Sequence, residues 1–479
     1  MFPEPHIRPS SRELRVCIIG GGLGGLSCAL ALQRAGIRCA VYEKDSSFGV
    51  RKQGYGLTLT NNAKGPLAAL GLLEKCKEAD CASNWHWIFD RAGKILGYYG
   101  REFSESLLSR EQASWSTGDL GSKSSGSRAA VMGPHDDGKG ERGNLRIPRQ
   151  DLRRMLLNEL QDGTVKWGCA IEDYHEKGDC VTVYYRISGC DSGLQKVDVD
   201  VLVGADGIHS VVRKLRDAKL WGSSPSRFEL SPPLRYTGVS VILGISTIKH
   251  ALIDRGGFYM YDGQHRLFTM PFRASEKETL TMWQLSFVGL SEEAARALRL
   301  DGPDGLRCEA LRRTQDCFKP VQELIRGTPK EEIWATGLYD RDPMRALSKD
   351  KGTRVTVIGD AAHPMSMFKG QGANQAISDG PRLVKWLIKS THTKGAKDIE
   401  TKLRCFEREM VQAAAPKVLA SRNAAVNLHH ESALTFDYGF AGWKCSEKRN
   451  RALEMLDAFG IRASLGEDLV KEVHATLVS

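Results

Sequence analysis

Residues 354–386 read RVTVIGDAAHPMSMFKGQGANQAISDGPRLVKW and join a short strand, a carboxylate, a glycine-rich loop and a helix start. Val355, Val357 and Ile358 form the apolar run of a buried strand, and Gly359-Asp360 follow at its carboxyl end, where open α/β sheets bind their ligands. A carboxylate placed there accepts hydrogen bonds from sugar-like hydroxyls. Beyond it, Gly370, Gly372 and Asn374 let the backbone turn sharply and approach a ligand closely. A helix is predicted from about Ala373 to Leu387, and its free N–H groups favour negative charge. The segment therefore suits a ligand that is polyhydroxylated at one point and anionic at another.

Near the N-terminus, Arg15 to Ile19 read as a strand and Gly20, Gly22 and Gly25 as GxGxxG. A small-residue helix runs through Ala35, and a second strand from Ile37 to Tyr42 ends at Glu43. In that order the parts make a dinucleotide fingerprint. The glycines allow a tight turn, the approach of a pyrophosphate to the helix start and close helix packing, while Glu43 is placed for the ribose hydroxyls. Alone, GxGxxG is weak; its context here is complete. A third segment, VDVDVLVGADGIHSVVRKLR, spans residues 197–216. Val199, Val201 and Val203 alternate as along one strand, Asp206-Gly207 make a turn, and Ser210 and Arg213 lie about one helical turn apart. By itself, Asp-Gly is ordinary turn chemistry.

Together the three segments resemble the single-component flavoprotein monooxygenases of the para-hydroxybenzoate hydroxylase type, over most of the chain. The resemblance implies that Gly20, Gly22, Gly25 and Glu43 hold the ADP half of FAD. It assigns Asp206 and Gly207 to the motif serving FAD and the pyridine nucleotide, and Gly359 and Asp360 to the one holding the ribityl chain. Gly372, Ala373 and Asn374 fall at the helix start facing an anionic reduced flavin. RKQGYGLTLTNNA, from Arg51, resembles the family's segment after the second strand and brings Gly56 near the cofactor. IPRQDLRRMLLNEL puts Arg149 where the family has an FAD-contacting arginine. The chain departs from its relatives at Met367, where HPMSPF is usual and HPMSMF stands. Methionine frees a dihedral that proline fixes, so Met367 bears on loop rigidity and substrate choice, or simply packs.

The implied fold class is α/β: a discontinuous Rossmann-like FAD-binding domain from 12–80, 145–225 and 345–395, with an inserted β-sheet substrate domain from 81–108 and 226–344. Residues 109–143, dense in Ser, Gly, Asp and Lys, read as a flexible insertion, and 396–479 as a helical C-terminal region. Strand-like runs at Thr237–Ile245, His265–Phe272 and Thr279–Val288 belong to the second sheet. On the middle one, Arg266, Phe268 and Met270 share a face. Arg266 is a candidate for holding an acidic or phenolate substrate, with a surface ion pair as the plainer role.

Composition agrees. The 479 residues are 41% hydrophobic and 26% charged, ordinary for a globular chain too long for one simple core. The net charge of +10 comes from cations spread among acids, without a basic run interleaved with aromatics, which argues against nucleic acid. Twelve cysteines show no zinc-like spacing, so no metal site is expected. The apolar run Val16 to Leu32 is broken by glycines and reads as strand, turn and helix rather than a membrane span. No leader-like segment stands ahead of the first strand, and a cytoplasmic location is the expectation. Oligomeric state stays open.

The chemistry that the resemblance implies is the cofactor's: NADPH or NADH, bound transiently, reduces tightly but non-covalently held FAD. Oxygen then gives a hydroperoxyflavin, which passes one atom to an aromatic or polycyclic small molecule. No acid, base or nucleophile is assigned, because the protein's tasks are positioning and desolvation. Two alternatives stand: a non-catalytic FAD-containing binding protein, and a halogenase or reductase of the same fold. Trp85-His86-Trp87-Ile88-Phe89 lacks the proline of the halogenase WxWxIP motif and lies too early.

Overall fold

Parallel strands cannot be joined by a tight turn, so β1 (Arg15–Ile19) reaches its parallel neighbour β2 (Arg38–Glu43) through helix α1 (Leu23–Arg34). Three further parallel strands, β3 (Val165–Trp167), β4 (Val201–Gly204) and β5 (Val355–Val357), complete a sheet in the order β5-β4-β1-β2-β3. The computed structural model describes residues 14–50, 54–83, 85–100, 143–190, 193–222, 231–250, 252–253, 256–274, 279–343, 352–391 and 396–434. Residues 109–142 of the expected insertion (109–143), the tail from 435 and residues 51–53 lie outside them.

Strands β1, β4 and β5 are almost wholly buried, which is why they read as continuous apolar runs. The run Val16 to Leu32 is β1 plus α1, and no described helix is long and apolar enough to cross a membrane. Burial pushes the thiols of Cys17 and Cys28 up, as core cysteines require. One expectation needs correction. Val199 and Val203 do not share a strand: Gln195–Val199 pairs with Cys180–Ile187 in a separate three-stranded sheet, whereas β4 starts at Val201. The break falls at Asp200, whose buried carboxylate accepts the Arg15 N–H at 2.8 Å. Alternation of valines cannot show a change of sheet.

Helix α4 runs from Gly372 to Thr391, longer than expected, and carries Pro381 inside. A Cβ on Gly380 would come within 2.7 Å of the Cys28 Cα, so α1 and α4 pack backbone against backbone. Two compact units divide the chain, the first comprising the described residues within Met1–Ala79, Pro148–Thr237 and Tyr339–Ala424. Most of helix α5 (Ala396–Asn427) thus belongs to it, although the sequence set 396–479 apart.

The second unit holds a seven-stranded sheet in the order 333–340, 235–246, 279–288, 265–274, 257–261, 85–90, 95–100. The helices Glu292–Leu298, Gly302–Arg313 and Lys319–Arg326 bury one face of it around Trp87, Phe89, Phe258, Met260, Leu267 and Trp283. Alternation turns His86, Tyr259, Arg266 and Phe268 to the opposite face.

Candidate functional site

Four adjacent strands, β5, β4, β1 and β2, deliver the three motifs and Glu43 from their carboxyl ends. Gly20 follows β1 at φ +107°, a conformation that glycine takes without strain, and donates to the Tyr42 carbonyl at 2.9 Å. Its missing side chain matters too: a Cβ would lie 2.5 Å from the Ala205 carbonyl oxygen, which belongs to the second motif. At Gly25 a Cβ would lie 1.9 Å from the Gly20 oxygen. Gly22, the N-cap of α1, has open space where its Cβ would stand, no side chain caps it and no acid lies in the first turn. An anion fits there against the free N–H groups of the helix start.

Glu43 is buried and grips the glycine turn, accepting from the Gly21 N–H at 2.6 Å and the Asp45 N–H at 2.9 Å. Arg153, on α2 (Arg149–Asn158), holds the same turn from the other side, its Nε donating to the Gly21 carbonyl at 2.9 Å. Its guanidinium also lies 4.7 Å from the Phe48 ring centroid. Sequence reasoning passed over Arg153; its one signal was the spacing from Arg149, one turn along the same helix.

Asp206 caps helix α3 (Val211–Trp221): it accepts from the Ser210 hydroxyl and from the N–H groups of Val211 (2.7 Å) and Val212 (3.1 Å). Burial pushes its carboxyl pKa up, against those hydrogen bonds. Gly207 turns the chain at φ +81°. At the third motif Gly359 adopts φ +59°, and its N–H donates to Asp379 of α4 at 2.9 Å. Asp360 is open to solvent, with packed protein atoms around its carboxylate. That packing raises its pKa, while His363 and Arg149 oppose the rise and Asp379 adds to it. Burial raises the Tyr55 hydroxyl pKa and the neighbouring Arg149 charge opposes the rise, while the Arg149 N–H donates to the Tyr55 carbonyl at 2.9 Å. Arg149, Tyr55 and Asp360 therefore form one group although the sequence spreads them over three segments.

Asn374 is spent on the backbone. Its Nδ2 donates to the carbonyls of Thr58 (2.9 Å) and Gly370 (2.8 Å), and its Oδ1 accepts from the Thr60 N–H (3.0 Å). It ties Thr58 and Thr60 of the strand Gly56–Thr60 to the glycine loop at Gly370. Met367 starts a short 3-10 turn and is half-buried, and its neighbour Ser366 is anchored to the Ser421 carbonyl of α5 at 2.7 Å. Arg266 belongs to the other unit. It is 4% exposed, with its guanidinium 5.3 Å from the Tyr259 ring centroid and 5.0 Å from that of Phe268, so a surface ion pair is not its role. Among the described residues no cluster of metal-ligating side chains occurs.

The donor set fits FAD: a helix start open to a pyrophosphate, an acid beside it, and a solvent-facing carboxylate two strands away for hydroxyls. Comparisons agree. The chain is 26% identical over 374 residues to aurachin C monooxygenase/isomerase of Stigmatella aurantiaca, covering 78% of this chain and 80% of that one. To 3-amino-4-hydroxybenzoate 2-monooxygenase PtnB3 of Streptomyces platensis it is 28% identical over 407 residues, covering 82% of each. Its fold is similar to that of Klebsiella pneumoniae HpxO complexed with FAD and uric acid, with TM-score 0.63 and 22% identity over 88% of this chain and 90% of that one. The 2,6-dihydroxypyridine-3-hydroxylase of Arthrobacter nicotinovorans gives TM-score 0.66 at 16% identity, over 91% and 97%. A family model described as FAD binding domain matches residues 13–256 and 322–411. The chain belongs to that FAD binding domain family and is an FAD-dependent monooxygenase of the para-hydroxybenzoate hydroxylase type.

Proposed function

We propose that this monooxygenase draws its electrons from NADPH or NADH and oxygenates an aromatic or polycyclic small molecule. The observation that carries the reading is the alignment of three motifs at the carboxyl ends of neighbouring parallel strands, with Asp360 open to solvent among them. Bound FAD supplies the redox chemistry: it takes two electrons from the nicotinamide and gives them to O2, one atom of which enters the substrate while the other leaves as water.

The chain's residues do the holding. The start of α1 and Glu43 seat the ADP half, with Gly20 and Gly25 letting the backbone close up. Asp360 accepts from the ribityl hydroxyls, Arg149 stands beside it with Tyr55, and Gly372, Ala373 and Asn374 present the start of α4 to negative charge. In the second unit, Arg266 over the Tyr259 and Phe268 rings offers a cation and flat apolar surface together, which suits an acidic or phenolate aromatic compound. The inserted sheet is the substrate domain in this reading.

Purified protein tests it. Nicotinamide oxidation is followed in air with a panel of phenolic and polycyclic acids, with peroxide and oxygenated product assayed. Compound-stimulated oxidation with product supports the reading. Bound FAD that neither nicotinamide reduces, with or without ligand, replaces it with a flavin-containing binding protein.

A further inference from the structure

Leu300 is 84% exposed, the most of any large hydrophobic side chain among the described residues. It stands in the second unit, in the turn between the helices Glu292–Leu298 and Gly302–Arg313. Backbone bonds fix that turn: the Leu300 N–H donates to the Ala297 carbonyl at 2.7 Å, and the Asp301 N–H to the Leu298 carbonyl at 3.3 Å. A lone exposed leucine is ordinary on a protein surface and by itself implies nothing. What surrounds this one is not ordinary.

Beside the turn the same two helices leave a hollow of about 460 Å³, with Leu290 and Leu298 in its wall and Ala294, Ala297 and Gly305 too small to fill it. Leu300 does not line this hollow, so an apolar recess stays open while the leucine next to it faces solvent. The charges match as well. Arg299 and Asp301 flank Leu300, and neither is engaged in an ion pair among the described residues. The rim of the hollow carries Asp301, Glu309 and Arg312, the last two paired at 2.7 Å. A projection made of a cation, a leucine and an acid therefore adjoins a hollow with an apolar wall and a rim of both signs. Projection and hollow lie on one patch, and a two-fold axis lets each of two copies offer both at once.

We propose that this face is a docking surface for a second copy of this chain: Leu300 of each copy enters the hollow of the other, with Arg299 set against the acids of the rim and Asp301 against Arg312. The apolar wall takes the leucine out of water, and the charges fix the register in which it enters. Contact through one short turn and two helix faces is small, and association loses translational and rotational freedom. The dimer is therefore expected to be weak, with a dissociation constant on the order of 10 μM. Nothing in this depends on which nicotinamide or which substrate the protein uses.

Sedimentation velocity of the full-length, FAD-loaded protein from about 1 to about 200 μM, a range that brackets this constant, is expected to show a monomer–dimer equilibrium. Leu300→Glu removes the projection and presents a charge to the apolar wall, and is expected to weaken the dimer at least about a hundredfold. Ala297→Trp fills the hollow and is expected to weaken it as much. Both positions are exposed, so both variants are expected to fold as the wild type does. Cys308, exposed and in the lining of the hollow, supplies a direct probe. Leu300→Cys combined with Cys308→Ser, mixed with wild type and oxidised in air, is expected to form a covalent heterodimer through the wild-type Cys308, and no covalent dimer alone. A wild type that stays monomeric over the whole range overturns the proposal. So does a dimer that survives either Leu300→Glu or Ala297→Trp, because its contact then lies elsewhere, and so does a mixture in which Cys308 is not cross-linked.

Discussion

A methyl group at Gly25 would stand 1.9 Å from the Gly20 carbonyl oxygen, so Gly25→Ala forces the glycine turn away from α1. The turn is the proposed seat of the ADP half, and FAD is expected to bind at least about tenfold more weakly, a change of ~1.4 kcal/mol, in a protein that still folds. The flavin-to-protein ratio after gel filtration reads the effect, and full occupancy in the variant would contradict the placement. His363 offers a pH test. Burial disfavours its charge, but Asp379 at 2.7 Å and the nearby Asp360 outweigh burial, and its pKa lies above the ordinary histidine value. The charged groups about it are Asp360 on its own turn, Asp379 and Arg382 on α4, and Arg149 facing Asp360 from α2. A histidine whose folded pKa is raised contributes stability that is complete below pH 6.5 and is lost as pH rises through the raised value. Wild-type apoprotein is expected to lose stability above neutrality more steeply than His363→Gln, as followed by urea midpoints; parallel curves for the two would show that the pair carries no such linkage. At this scale the glycines were legible in the sequence because a backbone demand is local. Arg153 and Asp379 were not, because what defines each is a turn from another segment: Gly21 lies 132 residues from Arg153.

Helix α5 shows the same limit one level up. Its periodicity made it readable as a helix, yet its attachment was invisible. Glu407, 1% exposed, pairs with Arg216 of α3 at 2.8 Å and accepts from the Thr356 hydroxyl of β5 at 2.8 Å. One carboxylate therefore joins α5 to the strand that leads into the turn of Asp360 and to the helix that Asp206 caps. Removing it leaves Arg216 buried without its carboxylate, and Glu407→Ala is expected to cost about 3–5 kcal/mol of stability. A denaturant midpoint indistinguishable from wild type would mean that solvent or a rearranged side chain replaces the pair. Strands were legible wherever one sheet face is apolar, as at Thr279–Val288. The boundary at Asp200 was not, because a strand that leaves one sheet and a strand that enters another share the same alternation, and only the long-range pairing tells them apart. Alternation likewise put Arg266 beside Phe268 correctly, while its burial depends on neighbours that no local pattern reveals.

For the whole molecule, composition was informative mainly by exclusion. The excess of ten positive charges is dispersed, and the family is carried by three short segments separated by long stretches of chain. That separation has a thermodynamic consequence. The residues proposed for the ADP half stand near the N-terminus and Asp360 far along the chain, so FAD joins elements that the sequence does not, and each half binds with the help of the other. A ligand that binds only the folded state at a hundred times its dissociation constant stabilises it by about 2.7 kcal/mol. FAD is therefore expected to raise the unfolding temperature with the logarithm of its concentration. ADP alone should act weakly through the start of α1 and Glu43, and FMN alone weakly through the turn at Asp360. ADP and FMN added together should fall well short of FAD at equal concentration, since two separate molecules each lose their own translational freedom on binding. Scanning calorimetry of the apoprotein with each addition measures this. If ADP matched FAD, the flavin half would contribute nothing to binding, and the assignment of Asp360, Arg149 and the start of α4 to that half would fall.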